Sequence, residues 1–318
     1  MRLLVVGGNG FLGSCICKAA LARGWAVDSI SASGRPFVSP AGHQPAWSAS
    51  KQMGWHKARA DQPDEYAALA ARADACVHTI GVLLEGEYKT GGVVGAAGSL
   101  AYAWSGGKIG GGDPMRRKNY GVMNRDMAIT VAETFAASRA PSSGSATPSS
   151  PASQPNTPRR APFVFISAAD HSAPLVPRAY IETKRQAEAA IAQIPSLRGI
   201  FMRPGLMYHP ALKPATTLPA ALLDLSASVH KRLGALGVPT PAGLLRAASM
   251  LGPDVRPLAN ALESSPLHAE TVARAVCAAL EAEHYEGPLE VEEMRHMRPL
   301  PRQTEPLPVY NAPPPPPQ

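Results

Sequence analysis

The start of the chain carries a short apolar run that ends in three evenly spaced glycines, and this feature limits the fold more than any other. Residues 3–6 are apolar, the glycines stand at 7, 10 and 13, and an amphipathic stretch follows at once. In a strand–turn–helix unit such glycines permit the tight turn, the approach of a pyrophosphate and close helix packing. The pattern therefore predicts an α/β fold, a doubly wound parallel sheet (Rossmann fold) with a dinucleotide at the first helix N-terminus. The candidate cofactor contacts in this unit are Gly7, Gly10, Phe11, Leu12 and Gly13.

The end of the second predicted strand, at 25–31, bears on the choice of cofactor. An NAD-selective site usually has an acid here that bonds the ribose 2′-OH, and this sequence has none. Arg35 with the hydroxyls of Ser31 and Ser33 suits a 2′-phosphate better, so the sequence favours NADP(H) while NAD(H) stays open. Asp61, which follows the third predicted strand, is expected to lie near the adenine.

The composition argues against several other classes of protein. Lys plus Arg outnumber Asp plus Glu by 31 to 24, yet aromatic residues make up only 6% of the chain and no basic stripe is interleaved with them. We therefore expect no nucleic-acid partner. The four cysteines form no Cys-x-x-Cys pair and the nine histidines show no ligand spacing, so we expect no metal. No stretch approaches the ~20 apolar residues of a membrane span, and we expect no secretory signal because the glycine turn begins at residue 7.

The alternation of strands and helices predicts the domain organisation. We expect an NAD(P)-binding domain over 1–205, a mostly helical substrate or partner region over 206–295, and a disordered Pro-rich tail over 296–318. Two segments of the first domain, 86–118 with its glycines and 138–162 with its Ser and Pro, are predicted to be flexible insertions. Helices are predicted at 10–23, 63–73, 119–135, 179–194, 216–262 (several short ones) and 271–281. Strands are predicted at 25–31, 54–60, 75–81, 163–167, 198–202 and 288–291.

A second set of polar residues follows the strand predicted at 163–167. Ser167 ends that strand, and Tyr180 and Lys184, four residues apart, project from one face of the next helix. A lysine ammonium beside a phenol favours the phenolate, which makes Tyr180 a usable proton donor or acceptor toward a carbonyl or an alcohol. We expect Lys184 to bond the nicotinamide ribose as well, and Ser167 to orient the substrate oxygen. The alternative is a surface Tyr–Lys pair that occurs by chance.

Taken together, these motifs resemble the short-chain dehydrogenase/reductase superfamily, and the matches span most of residues 1–290. The resemblance implies that Gly81, Asn124 and Pro204 contact the cofactor, and that Ser167, Tyr180 and Lys184 form the catalytic set. The matching motifs are Gly7-x-x-Gly10-x-x-Gly13, Gly81, Asn124, Ser167, Tyr180 with Lys184, Arg203-Pro204-Gly205 and the stretch 267–273.

A narrower resemblance is to the fungal mitochondrial atypical members of this superfamily that are associated with coenzyme Q biosynthesis. It implies a matrix-side protein, peripheral on the inner membrane, that acts with the ubiquinone-synthesis complex. Residues 1–27 contain no acid, which is compatible with an uncleaved mitochondrial address. The nucleotide-binding accessory subunit of respiratory complex I shares the opening motif. The stretches that carry the narrower resemblance are 5–13, 78–85, 88–89, 120, 124–126 and 203–208.

Two functional hypotheses follow. The first is an NAD(P)-dependent oxidoreductase in ubiquinone biosynthesis, acting on a lipid-like quinone precursor. The second is a non-catalytic NADP(H)-binding subunit of a mitochondrial complex, either the ubiquinone-synthesis complex or respiratory complex I, in which the nucleotide stabilises the fold. A third hypothesis, an NADP-sensing regulator or an RNA-binding protein, is permitted by the net charge of +7.

Overall fold

The computed structural model describes residues 1–81, 121–139, 160–170, 178–250 and 256–297. The predicted insertion at 86–118 lies outside the described residues, as do most of the insertion at 138–162 and most of the tail. Three parts of the narrower resemblance, 82–85, 88–89 and Tyr120, also lie outside them.

The described strands form one large parallel sheet and one small one. The large sheet has the order β3-β2-β1-β4-β5-β6-β9, and all its neighbouring strands pair in parallel. This order reverses direction after β1, which confirms the predicted doubly wound α/β fold. The strands are β1 (Arg2–Val6), β2 (Ala26–Ser31), β3 (Met53–Lys57), β4 (Ala75–His78), β5 (Ala161–Ile166), β6 (Leu197–Met202), β7 (Met207–Tyr208), β8 (Leu267–His268) and β9 (Gly287–Leu289).

Helices cover both faces of the large sheet. Leu3 and Val5 of β1 belong to the core on one face and Leu4 and Val6 to the core on the other, so this interior strand reads as an unbroken apolar run. A π-helical turn, Gly121–Asp126, precedes the third α-helix. The α-helices are α1 (Phe11–Leu21), α2 (Ala67–Arg72), α3 (Met127–Ala137), α4 (Arg178–Ala192), α5 (Thr217–Ala235), α6 (Pro241–Ala248), α7 (Arg256–Glu263), α8 (Ala269–Glu281) and α9 (Val291–His296).

Some elements differ from the sequence prediction for identifiable local reasons. The segment 216–262 holds a helix of 19 residues, α5, before the shorter α6 and α7. A glycine with positive φ, Gly237, follows α5, and Thr240 starts α6 by accepting a hydrogen bond from the backbone of Gly243. The strand predicted at 288–291 ends at Leu289, because Glu290 and Glu293 form a capping box that starts α9.

The C-terminal elements α8 and β9 pack against the N-terminal helix α1 and the large sheet. Helix α8 packs beside α1, and Lys18 and Arg23 of α1 form ion pairs with Glu270 and Glu281 of α8 at 2.7 and 3.1 Å. Strand β9 extends the sheet by pairing with β6. Through these contacts α8 and β9 are tied to α1 and to the edge strand β6.

Candidate nucleotide-binding and catalytic site

The glycine turn joins β1 to α1 in a conformation that few other residues could adopt. Gly7 has φ +90° and donates its N–H to the carbonyl of Ile30 at 2.9 Å, which ties the turn to β2. Gly10 then donates to the carbonyl of Gly7 at 3.0 Å. Gly10 is the N-cap of α1, and no side chain caps that helix or places an acid in its first turn. The positive end of the α1 dipole is thus open to an anionic group.

The third glycine of the motif, Gly13, lies against the turn itself. A Cβ at this position would overlap the carbonyl oxygen of Gly7 and lie 2.8 Å from the Cα of Gly8. Both neighbours are backbone, so neither can move aside as a flexible side chain would. The close packing of α1 on the turn therefore depends on a glycine at 13.

A link that the sequence analysis missed joins the turn to the end of β2. The Asn9 side chain donates to the Ser33 hydroxyl at 3.1 Å, and the Ser31 hydroxyl accepts from the backbone of Gly34 at 3.1 Å. The Arg35 side chain is exposed in the same loop. The structure thus gathers the three residues predicted to favour a 2′-phosphate beside the glycine turn. The sequence signal that could have identified Asn9 is its position as a polar residue inside the glycine turn.

Asp61 lies near the surface, where its carboxylate is occupied. Arg59 donates to both of its oxygens, at 3.0 and 2.7 Å. These hydrogen bonds lower the pKa of Asp61 below its usual value. An adenine contact from Asp61, which stays a prediction, would be made by a carboxylate already paired with a cation.

Lys184 occupies a buried position at the carboxyl edge of the sheet. Its ammonium donates to the carbonyl of Ile166 at 2.8 Å and lies 4.5 Å from the ring centroid of Phe165. The same nitrogen lies 5.9 Å from the ring centroid of Tyr180. A Cβ on Gly81 would come within 2.8 Å of it. Strand β5, helix α4 and the segment after β4 therefore converge on one cation.

Asn124 belongs to the same group of residues. It is fully buried in the π-helical turn, and a Cβ on Gly81 would lie 3.0 Å from its Oδ1. The wider turn of a π-helix changes which way a side chain points, and such turns are frequent at functional sites. Of the predicted cofactor contacts, Gly81, Asn124 and Lys184 are thus brought together by the fold.

His78, interpreted from sequence as a strand residue, is the last residue of β4 and is fully buried. Its ring lies 5.8 Å from that of Phe165, and neither ring nitrogen has a hydrogen-bond partner within the described part of the chain. Burial, with a smaller contribution from the Lys184 charge, lowers the pKa of His78 to about 3. The imidazole is therefore neutral at physiological pH, so His78 adds no second buried positive charge beside Lys184.

The pH dependence of stability should report the burial of Lys184. Desolvation lowers the pKa of Lys184 to about 7, although Glu188 opposes it. Between pH 7 and 10.5 the unfolded chain holds this proton more firmly than the folded one, so this group makes stability rise with pH over that window. We expect the stability of wild type relative to Lys184→Met to rise across the window by at least about 1.4 kcal/mol, the equivalent of one pKa unit. Denaturant unfolding at pH 7 and at pH 10.5 measures this stability difference, with a change of the exposed Lys57 to Met as the control. If wild type and Lys184→Met differ in stability by the same amount at pH 7 and at pH 10.5, the lowered pKa of Lys184 is contradicted.

Ser167 lies just after β5 and is tied into a charged network. Its hydroxyl accepts a hydrogen bond from Arg185 at 3.0 Å, and Arg185 also binds Glu188 at 2.6 Å. Glu188 is buried and forms its second ion pair with Arg203. Arg203 also forms an ion pair with Glu290 at 2.8 Å. The hydrogen bonds that Arg203 donates to the Glu188 carboxylate raise the pKa of Arg203 further above its usual value. The network fixes Ser167 relative to α4 and α9, and it occupies one lone pair of the hydroxyl.

Pro204 completes the edge of the sheet. It is buried directly after β6, and its carbonyl accepts from the backbone of Ala169 at 2.9 Å. Apart from Asp61, the predicted site residues thus form two groups at the carboxyl ends of the strands. One surrounds the glycine turn and the end of β2, and the other surrounds Lys184. The described residues contain no cluster of three His, Cys, Asp or Glu side chains able to hold a metal ion.

Solved structures of similar fold define the class of the fold. The chain superimposes on 3-hydroxyacyl-CoA dehydrogenase type-2 from Mycobacterium avium with a TM-score of 0.55 and 15% identity, covering 94% of this chain and 97% of that one. It superimposes on UDP-glucuronic acid 4-epimerase from Bacillus cereus, solved in complex with NAD, with a TM-score of 0.52 and 14% identity, covering 92% and 77%. The protein therefore has the Rossmann fold of the short-chain dehydrogenases/reductases and related epimerases.

Proteins of similar sequence show to which family the chain belongs. The chain is 33% identical over 214 residues to MIOREX complex component 2 of Saccharomyces cerevisiae, which covers 65% of this chain and 73% of that protein. It therefore belongs to the family of MIOREX complex component 2. A stretch of 35 residues is also 63% identical to an uncharacterized chloroplastic protein of Arabidopsis thaliana. No family model matches the sequence.

Proposed function

We propose that this protein binds a nicotinamide dinucleotide along the carboxyl edge of its sheet. The observation that carries the proposal is the pairing of two features on that edge. An uncapped helix N-terminus with a glycine turn suits the pyrophosphate, and the group of Lys184, Asn124 and Gly81 suits the nicotinamide ribose. The B. cereus epimerase of similar fold was solved with NAD.

The proposed activity is oxidoreduction of a quinone precursor in mitochondrial ubiquinone biosynthesis. Tyr180 would exchange a proton with the substrate oxygen, Lys184 would favour the phenolate and bond the ribose, and Ser167 would orient the substrate. The nucleotide, when bound, supplies the hydride chemistry. The pathway and the location, on the matrix side and peripheral to the inner membrane, are proposed from the resemblance to the coenzyme Q-associated members. Kinship with MIOREX complex component 2 supports the mitochondrial part of this proposal.

Calorimetric titration with NADPH and NADH tests the cofactor proposal. We expect NADPH to bind more tightly, because the exposed Arg35 belongs to the loop whose Ser33 hydroxyl accepts from the Arg35 backbone at 3.3 Å and from Asn9 of the turn at 3.1 Å. In Arg35→Gln the affinity for NADPH should fall by about tenfold, as expected from loss of one charge-assisted hydrogen bond. The affinity for NADH should be unchanged, and exposed Lys51→Gln serves as the matched control. Failure of the folded wild type to bind either nucleotide would overturn the cofactor proposal.

A second candidate function is a non-catalytic nucleotide-binding subunit. One observation favours it: the Ser167 hydroxyl accepts a hydrogen bond from Arg185, which belongs to a network of buried and half-buried ion pairs rather than to an open pocket. The yeast relative is, by its name, a component of a complex. In this role the nucleotide would stabilise the fold by linkage, and nucleotide binding would persist without turnover.

A further inference from the structure

Helix α5 turns an apolar stripe away from the rest of the protein. At about 100° per residue, four of its large side chains lie within about 60° of one another around the helix axis. The buried residues Ala220 and Ala227 lie on the opposite side of the helix, so the small side chains face the protein and the large ones face away from it. The stripe consists of Leu218, Leu222, Leu225 and Val229, which are 70, 60, 62 and 44% exposed.

The spacing of the stripe is that of a coiled-coil seam. Successive members are separated by four, three and four positions, so they occupy alternating d and a positions of a heptad. Leu236, directly after the helix, is 76% exposed and continues the repeat seven residues after Val229. A strict repeat of this kind gives the narrow stripe that contacts one partner helix, whereas a helix that packs on a globular core has a wider apolar face. The pattern therefore indicates a contact between two helices.

The surroundings of the stripe carry little charge. Among the charged residues of α5, Arg232 lies within about 60° of the centre of the stripe, whereas Asp224 and Lys231 lie about 130° or more away from it. Positions that flank a coiled-coil seam often carry Glu and Lys, which select a charged partner. The exposed flanking positions here are Ala221, Ser228 and Ala235. A seam with small, uncharged flanks does not repel a copy of itself and allows a second helix to come close.

The exposed apolar area is near the size that a dimer needs. Eight of the twelve large hydrophobic residues that are exposed in the described part of the chain lie within 218–250. With about 130 Å² for a leucine side chain, these eight expose on the order of 650 Å² per chain. A standard interface buries about 800 Å² per partner, and the largest apolar patch of a typical monomer is about 300–600 Å². The eight residues are those of the stripe with Leu236, Val238, Leu244 and Met250.

We propose that the apolar stripe of α5 packs against the same stripe of a second copy of this chain, as an antiparallel pair of helices about a two-fold axis. The axis passes between Leu222 and Leu225, so Leu222 of one copy packs on Leu225 of the other. Leu218 then packs on Val229, and the contact is self-complementary, as a two-fold interface requires. A parallel pair would bring the two Arg232 side chains together, whereas the antiparallel pair places them at opposite ends of the seam.

Two other occupants would also cover an apolar stripe, and the experiment separates them from a second copy. One is an uncharged helix of a different protein, and the other is another segment of this chain. No helix in the described part of the chain has the length and hydropathy to cross a membrane. The proposal does not depend on nucleotide binding.

Analytical ultracentrifugation of the full chain tests this proposal. Wild type should dimerise with a Kd between about 1 and 100 µM, as expected for an apolar contact of moderate area. Leu222→Glu/Leu225→Glu and Leu222→Lys/Leu225→Lys should each weaken the dimer by at least about 100-fold, because like charges meet across the two-fold axis. An equimolar mixture of these two variants should dimerise again, since each carboxylate then faces an ammonium. Val38→Glu, a change of an exposed apolar residue in the loop after β2, is the matched control and should dimerise like wild type.

Several results would overturn the proposal. One is a wild type that stays monomeric up to about 100 µM, which would leave the stripe to a different protein. Another is a dimer that forms equally well in Leu222→Glu/Leu225→Glu, which would place the interface elsewhere on the molecule. Arg232→Leu should change the Kd of the dimer by less than about threefold, and a dimer at least about tenfold tighter would show a parallel pair instead.

Thermal unfolding separates the loss of the dimer from a folding defect. At about 1 µM, where the dimer is largely dissociated, the Glu and Lys variants should melt at the wild-type temperature, because the substituted side chains are exposed. A melting temperature lowered by more than about 5 °C would show that another segment of the same chain covers the stripe, and would overturn the proposal. Nucleotide titration of the same variants should give wild-type affinity, which keeps this test separate from that of the proposed function.

Discussion

Gly13→Ala should abolish nucleotide binding and lower the melting temperature by several degrees. The added Cβ would overlap the carbonyl of Gly7, and the backbone of Gly8 lies 2.8 Å away, so α1 has to move off the turn. That movement displaces the N–H groups that would hold the pyrophosphate. It also disturbs α8, which packs against α1. Overpacking in a rigid place typically costs about 1–3 kcal/mol, and calorimetry with thermal unfolding measures both effects.

Two further variants separate the loss of binding from the loss of stability. Gly10 is the N-cap of α1 with φ −80° and ψ 179°, a conformation that suits aspartate as a cap. Gly10→Asp should therefore retain the fold while its carboxylate repels the phosphates. Gly234→Ala, in α5, has open space around the new Cβ and should match wild type in both measurements. Wild-type nucleotide affinity in Gly13→Ala would contradict the placement of the pyrophosphate at this turn.

The sequence carried enough information for the fold because its strongest signals are local. The apolar run before Gly7 is the interior strand β1, and the glycines define the turn that follows. The strand predicted at 163–167 and the helix predicted at 179–194 match β5 and α4 to within two residues. These patterns depend on neighbours in sequence, which is why they can be identified from one chain.

The surroundings of the site could not be predicted in the same way. Arg185, Glu188 and Arg203 form their network because α4 and β6 come together in space, and no spacing in the sequence encodes that meeting. His78 looked like any strand residue, and its isolation beside Lys184 follows only from the register of β4 on β5. Polar contacts between distant segments are a tertiary property.

Helix α5 illustrates another limit of sequence analysis. Apolar periodicity in the segment 216–262 shows that its helices have an apolar face. It does not show whether that face points inward or outward. The structure buries Ala220 and Ala227 and leaves Leu218 exposed. The smaller side chains allow α5 to approach its neighbours closely, and the larger ones remain available to another surface.

Tyr180→Phe should separate an enzyme from a nucleotide-binding subunit. The change removes only the hydroxyl of a half-buried residue whose ring lies 5.9 Å from the Lys184 ammonium. If Tyr180 is the general acid and base, turnover should fall by about 10²–10⁴-fold. The ring remains, so nucleotide affinity should stay within about twofold, far less than the tenfold that 1.4 kcal/mol represents.

The measurement needs both a chemical and a cellular readout. Oxidation of NADPH by short-chain quinone analogues is followed in vitro, and ubiquinone content is followed in yeast cells that lack MIOREX complex component 2 and express each variant. Tyr285→Phe, after α8 and away from the site, is the matched control. Loss of turnover and of ubiquinone with nucleotide binding retained would establish the enzyme. Full restoration by Tyr180→Phe would exclude acid–base catalysis by this residue. The nucleotide would then act as a structural ligand, consistent with a Ser167 hydroxyl held by Arg185.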